Sequence, residues 1–344
     1  MTNALKTIGV GLAGFGYWGP NLARNFMHQE GCRLLRVCDL DAARRKAAQR
    51  AYSHVETSGV FEDLINDPAI DVVLIATPVG THHALALAAL RAGKDVLVEK
   101  PLASTTAEAE DLVETADAYG RILGVDHTFL FTGAVREMKS LIDRGEIGDV
   151  VYFDSVRINL GLFQHDVNVI YDLAPHDLSI LLYLFDDEAV AVQATGLVHG
   201  PHNIEAVAHI GVDFASGLRA HSHVNWFSPV KIRKTLIAGT KKMIVYDDLE
   251  ASEKVKVYDK NIVLPETDAQ KASEIKIGYR VGDMLAPNLS LREALDLEAQ
   301  EFLNCVRNRE KPISDGRLGL RVVRLLEASQ QSLADNGARK VVTG

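Results

Sequence analysis

The sequence predicts an α/β domain on a parallel sheet, followed by an α+β domain whose antiparallel sheet is covered on one face. Three observations predict it. Up to about residue 125, short apolar runs alternate with helix-spaced stretches. A glycine-rich turn joins the first run to the first helix. Beyond about residue 126 the apolar spacing changes to strand alternation with turn signals.

In the first domain, residues 1–126, the runs Ile8–Leu12, Leu34–Val37, Val72–Ala76, Asp95–Val98 and Ile122–Val125 are the strands. They are unbroken apolar runs, as strands covered on both faces require. Between them, Asn21–Met27, Ala42–Ala51, His83–Ala92 and Thr106–Tyr119 carry helical spacing. In the second domain, residues 127–344, Ala134–Arg144 reads as a helix ending at Gly145. Val150–Ile158 alternates like a strand with one exposed face, and Leu178–Phe185 reads as a buried helix. Val207–Phe214, Gly217–Val224, Thr235–Ala238 and Met243–Tyr246 follow as strands, with Ala-Ser-Gly at 215–217 as a hairpin turn. Leu318, Val322, Leu325 and Leu326 form one apolar helical stripe near the end, and the C-terminal helices are expected to pack back on the first domain.

Composition narrows the function. A chain of 344 residues exceeds one ordinary core. With 47% hydrophobic and 24% charged residues it is globular. A net charge of -9 without a long basic run argues against nucleic-acid or membrane-surface binding. An anionic ligand would need a local basic pocket. Cys32, Cys38 and Cys305 show no CxxC spacing and read as small buried residues in a reducing compartment. The start, Met-Thr-Asn-Ala-Leu-Lys, runs into a strand without a signal-peptide core, and no apolar run approaches the ~18 residues of a spanning helix. A cytoplasmic protein is expected.

Gly14-Phe15-Gly16-Tyr17-Trp18-Gly19 matches G-x-G-x-x-G between a strand and a helix, the context of a Rossmann dinucleotide site. The first glycine makes the turn, the second admits a pyrophosphate, and the third lets helix and strand pack closely. Free N–H groups at the helix start face the phosphates. Asp39 ends the second strand, where a carboxylate accepts from the adenine ribose hydroxyls and repels a 2′-phosphate. NAD is therefore expected, with NADP disfavoured; Arg44 and Arg45 close by work against that preference. Thr77 and Pro78 follow the strand Val72–Ala76 and should line the cofactor crevice. His82 is either a polar contact to the nicotinamide side or part of a helix start capped by Thr81; the same holds for His83.

Glu99-Lys100-Pro101 follows the strand Asp95–Val98. Lys100 is either a solvated lysine or points into the crevice, where a neighbouring nicotinamide charge would lower its pKa and suit it to proton transfer. Asp172-Leu173-Ala174-Pro175-His176-Asp177 opens an apolar helix, with Pro175 in its first turn. A first-turn His176 would be held neutral by the helix dipole. With Asp172 four residues earlier it makes a carboxylate–imidazole pair for a hydroxyl. The alternative is a cap beside a buried, satisfied histidine.

These four features, in this order, resemble the glucose–fructose oxidoreductase / inositol dehydrogenase / MocA (Gfo/Idh/MocA) family over nearly the whole chain. The resemblance implies a Rossmann domain followed by a large open antiparallel sheet that packs against another subunit, giving a homodimer or homotetramer. It implies that Glu99 and Lys100 contact the cofactor. It further implies that Lys100 and Asp172 orient a sugar hydroxyl, that His176 is the acid/base, and that the Lys100–Pro101 bond is cis.

Within the family, Gly16–Asn21, Arg157–Gly161, Asn168–Asp172, Ala174–Asp177 and Trp226–Asp248 resemble the UDP-N-acetylglucosamine(uronate) 3-dehydrogenases, with Tyr171 where that subgroup often has Trp. Arg157 suits a phosphate or carboxylate through bidentate contact. Arg157 and Asn168 are therefore taken as substrate residues beside Lys100, Asp172 and His176. Lys231 and Arg233 share a strand face and would hold an anion, or else lie with Lys234 on a solvated or subunit face. His221 and His223 share a face without a third ligand, so no metal is expected.

The resulting expectation is hydride transfer between a sugar hydroxyl carbon and NAD, with C3 of a nucleotide-linked sugar leading. The alternatives are a free polyol or monosaccharide dehydrogenase, a 3-ketosugar reductase, and a non-catalytic NAD(H)-binding regulator.

Overall fold

The computed structural model describes residues 7–161, 167–199, 204–263 and 278–342. The chain start and part of the run from Arg157 to Asn168 (residues 162–166) lie outside the described residues. The elements in chain order begin with β1 (Ile8–Ala13), α1 (Gly19–Met27), β2 (Cys32–Cys38), α2 (Ala42–Ala51), β3 (Glu56–Ser58), α3 (Glu62–Ile65), β4 (Val72–Ile75), α4 (His82–Arg91), β5 (Asp95–Glu99), α5 (Thr106–Ala118) and β6 (Leu123–Asp126). There follow α6 (Gly133–Asp143), β7 (Val150–Leu160), α7 (Val169–Leu184), β8 (Ala189–Val198), β9 (Glu205–Phe214), β10 (Arg219–Asn225), β11 (Phe227–Gly239), β12 (Met243–Asp247), β13 (Val255–Val263) and β14 (Gly278–Leu285). The last are α8 (Ala294–Asn308), α9 (Gly316–Ala334) and β15 (Lys340–Val341). Two compact units result. The first holds residues 1–132 and 291–327, and the second holds 133–290 and 328–344.

The first unit is a parallel sheet in the order β3-β2-β1-β4-β5-β6, the Rossmann order with its reversal between β1 and β4. Its strands are apolar because both faces are covered. On one face, Phe26 of α1 meets Phe302 of α8 edge-on at 6.4 Å, over Leu12, Leu74 and Leu97. On the other, Ala86 and Leu90 of α4 and Leu112 of α5 pack on Val73, Ile75 and Val98, with Val323 of α9. The helix starts are set by short polar side chains. Asp41 accepts from Ala43 N at 2.7 Å to cap α2, and Thr105 with Glu108 forms a capping box at α5.

The second unit carries a nine-stranded sheet, β14-β13-β12-β11-β7-β10-β9-β8-β15. Alternation in β9 buries Ala206, Ala208, Ile210, Val212 and Phe214 on one face and leaves His209 exposed on the other. The Phe214–Leu218 turn closes with Gly217 at φ 94°, as the hairpin expectation required.

Three expectations need correction. The sheet is mixed: β7 pairs β10 in parallel, because the β8–β9–β10 meander comes in beside a β7 that already lies at the centre. The helix expected at Leu178 begins at Val169, because Asn168 caps it through Ile170 N and Tyr171 N. Pro175 is therefore inside α7, and His176 is not in its first turn. The helix-dipole reason for a neutral His176 falls with that. The strand expected at Thr235 begins at Phe227, its first half hidden by a register shift between Phe227 and Ile232.

Candidate functional site

In the first unit the site residues gather at the carboxyl ends of the strands. Gly14 has φ 92°, and a Cβ there would lie 2.4 Å from Ala76 O. A Cβ on Gly19 would lie 2.3 Å from Gly14 O, so α1 packs against its own turn. No side chain caps α1, but Pro20 has no N–H and Asn21 N donates to Trp18 O at 2.9 Å, so the turn from Gly14 to Gly19 is the part open to a ligand. Gly14, Asp39, Leu40, Arg44, Thr77 and Pro78 line a cavity of about 420 Å³. A bare glycine cradle, an uncapped helix start and a cavity lined by a carboxylate fit a dinucleotide.

Asp39 does more than was expected of it. Its Oδ2 accepts from Phe15 N at 2.7 Å and its Oδ1 from Asp41 N at 2.8 Å, so it also pins the glycine loop. Arg44 stands 3.8 Å from Asp39 Oδ2. Gly16 lies beside the Arg44 guanidinium. Phe15 is buried and Tyr17 exposed. Trp18 turns inward, its indole donating to Asp126 Oδ2 at 2.6 Å.

His82 corrects an expectation. Its ring is 1% exposed, with Nδ1 2.9 Å from Pro101 O and Nε2 2.8 Å from Thr77 O. Both nitrogens face main-chain carbonyls and the neutral ring donates to one of them, so the side chain is enclosed between the two loops rather than open to the crevice. Burial, opposed by those carbonyls, lowers its pKa. Thr81 does not cap α4 either; its hydroxyl donates to Pro78 O at 2.7 Å. His83 reaches Asp111 Oδ2 at 2.7 Å on the surface. Glu99 and Lys100 are half-buried, and the Lys100–Pro101 peptide is cis.

Beside them lies a polar group that sequence reasoning missed. His127 follows β6, whose Asp126 pairs in register with Glu99. Burial, with the Lys100 ammonium nearby, pushes its imidazole down to about 3. Glu298 of α8 is fully buried; burial and the carboxylate of Asp126 hold it well above the usual range, so it carries a proton. An isolated acid on an apolar helix face was the available signal.

In the second unit, Asp172 and His176 are an i, i+4 pair on α7, one above the other on one face. Both are half-buried. Asp172 Oδ2 accepts from the indole of Trp226 at 2.8 Å.

Two expected substrate residues face elsewhere. Arg157 donates to Asp177 Oδ2 at 2.7 Å through Nε and to Oδ1 at 3.0 Å through Nη2. The two side chains are 4% and 5% exposed. Burial works against the Arg157 charge, and Asp177 outweighs it, so its pKa is raised. The bidentate contact foreseen for a phosphate is thus made to the neighbour of His176. Asn168 is the buried N-cap of α7, and its amide donates to Glu205 at 2.9 Å and Gln330 at 2.7 Å. Arg233 lies 3.3 Å from Asp248, while Lys231 is exposed. His223 stacks on His209 at 4.2 Å, and His221 meets Asp154 at 3.1 Å. Among the described residues no group of three or more His, Cys, Asp or Glu is placed for a metal, and no helix is long and apolar enough to cross a membrane.

Comparison with known proteins gives two family matches. Residues 8–127 match the oxidoreductase family with an NAD-binding Rossmann fold, and residues 135–245 match the GFO/IDH/MocA C-terminal domain. The chain is 27% identical to scyllo-inositol 2-dehydrogenase (NAD(+)) of Bacillus subtilis (strain 168), over 91% of this chain and 89% of that protein. Several curated relatives match over about half their length. One is the uncharacterized oxidoreductase YdgJ of Escherichia coli (strain K12), 34% identical over 52% of this chain and 54% of that protein. In fold, the chain is similar to UDP-N-acetylglucosamine 3-dehydrogenase GnnA from Acidithiobacillus ferrooxidans. That match has TM-score 0.81 and 24% identity, over 96% of this chain and 99% of that one.

Proposed function

The chain belongs to the GFO/IDH/MocA family of oxidoreductases, and on that premise we propose that it is a dehydrogenase acting on C3 of a nucleotide-linked sugar. The observation that carries the reading is the Asp172–His176 pair on one face of α7, its carboxylate fixed by an indole N–H. In the forward direction Lys100 and Asp172 hold the substrate hydroxyl and His176 removes its proton. Gly14, Gly16 and Gly19 would take the pyrophosphate, with Asp39 at the ribose and Thr77 and Pro78 along the crevice. NAD, when bound, supplies the hydride acceptor. Reduction of a 3-ketosugar is the same chemistry reversed, with His176 as acid.

The nucleotide-linked substrate rests on the sequence runs around Gly16–Asn21, Asn168–Asp172 and Trp226–Asp248, and the fold of GnnA is compatible with it. Two findings favour a second reading. Arg157 and Asn168 are engaged inside the second unit, which removes two expected substrate residues, and an inositol dehydrogenase is similar over most of the chain. A free polyol or monosaccharide is the substrate on that reading. On either reading a second copy packs on the open sheet, where Leu160 and its cross-strand neighbour Phe227 are exposed, giving a homodimer or homotetramer. The enzyme is placed in the cytoplasm.

The test is absorbance of reduced nicotinamide with NAD or NADP across UDP-N-acetylglucosamine, its uronate, inositol, glucose and glucose phosphate. Turnover of a UDP-sugar alone is expected. Turnover of inositol alone selects the second reading.

A further inference from the structure

We infer that Trp226 is a positioning residue for Asp172: its buried indole holds the carboxylate in the orientation that the hydroxyl requires. The inference rests on the proposed role of Asp172.

Trp226 stands between β10 and β11 and is 0% exposed. Its main chain is fixed on both sides. Its N–H donates to Ala206 O at 2.9 Å, and its carbonyl accepts from Gly161 N at 2.9 Å. The ring is fixed as well, because a Cβ on Gly161 would lie 2.5 Å from the indole Cδ1. From this rigid seat Nε1–H donates to Asp172 Oδ2 at 2.8 Å. A donor aimed at a carboxylate fixes its plane. The indole is donor-only, so it keeps the same sense of bond at every pH. The contact joins three separate chain segments, which accounts for Gly161 and Trp226 without giving either a ligand to touch. A sequence window over Asp172 and His176 does not contain it.

Direct observation is simple because the chain has only two tryptophans. Both indoles donate to an Asp, Trp18 to Asp126 and Trp226 to Asp172. In a ¹⁵N-tryptophan-labelled sample of the full chain, Asp172→Ala should move one indole N–H resonance and leave the other in place. Trp18 is the internal control.

The kinetic arm uses Trp226→Phe, which keeps an aromatic ring and removes the donor. Loss of one charge-assisted hydrogen bond should lower kcat about 10- to 100-fold. NADH affinity should be unchanged. Trp226→Phe added to Asp172→Ala should cost nothing further. If Trp226→Phe fails to fold, Gly161→Ala displaces the ring and should reproduce the kinetic loss.

Two results would overturn the inference. One is Asp172→Ala leaving both indole resonances unmoved. The other is Trp226→Phe costing its full factor even without Asp172. Failure of the functional reading looks different: Asp172→Ala then turns over like the parent, while the indole resonance still moves.

Discussion

Removing the Asp177 carboxylate should destabilise the second unit sharply. Arg157 and Asp177 are 4% and 5% exposed and share two hydrogen bonds of 2.7 and 3.0 Å. Asp177→Asn keeps the shape and leaves a guanidinium buried without its countercharge. Breaking a buried pair from one side costs about 3–5 kcal/mol. A unit of this size loses roughly 2–4 °C of melting temperature per kcal/mol, so the shift should be on the order of 10 °C. Arg157→Met should cost similarly. The double variant Arg157→Met/Asp177→Leu should recover much of the loss, because matched apolar groups replace an ion pair at little or no cost. The assay is calorimetric melting of each variant with steady-state kinetics alongside. Asp177 follows His176 directly, so the single variants should also lower kcat. The reasoning is refuted if Asp177→Asn melts within a degree or two of the parent while Arg157→Met raises only the KM of a UDP-sugar. That outcome would return Arg157 to the substrate.

Two further predictions concern the first unit. Glu298 keeps a proton when folded that the unfolded chain releases above about pH 4.5. Its contribution to stability is therefore present at low pH and lost as pH rises towards its raised folded value. Glu298→Gln mimics the protonated acid and does not titrate, so its melting temperature should gain on the parent's as pH rises above about 5. Parallel curves would contradict this. Gly14→Ala puts a Cβ 2.4 Å from Ala76 O at a positive φ, so the loop must move. Strain of ~1–3 kcal/mol implies roughly 10- to 100-fold weaker NADH binding by fluorescence titration. Unchanged affinity would remove the glycine loop from the cofactor site.

The alternation of buried runs and helices made the first unit readable, because a doubly covered strand is apolar along its whole length. The glycine loop was readable because its geometry tolerates few residue types. The start of α7 was not. Pro175 carried the signature of a first-turn proline, while the deciding residue was Asn168, whose amide caps the helix. The roles of Arg157 and Asn168 were hidden for a related reason. Both types bind ligands and also satisfy buried neighbours, and only the fold shows that Asp177, Glu205 and Gln330 are in reach. His82 is a third case, poised beside the crevice in sequence and turned onto two carbonyls in space. The Trp18–Asp126 and Trp226–Asp172 bonds span 108 and 54 residues, beyond any local pattern.

The central claim is that Lys100, Asp172 and His176 serve one substrate hydroxyl in a nicotinamide-dependent oxidation. Its most direct test is turnover of the preferred sugar by Lys100→Ala and His176→Ala, with NADH binding measured on the same preparations. The account predicts that both variants bind NADH and lose at least about 100-fold in kcat. Turnover equal to the parent's in either variant would contradict it.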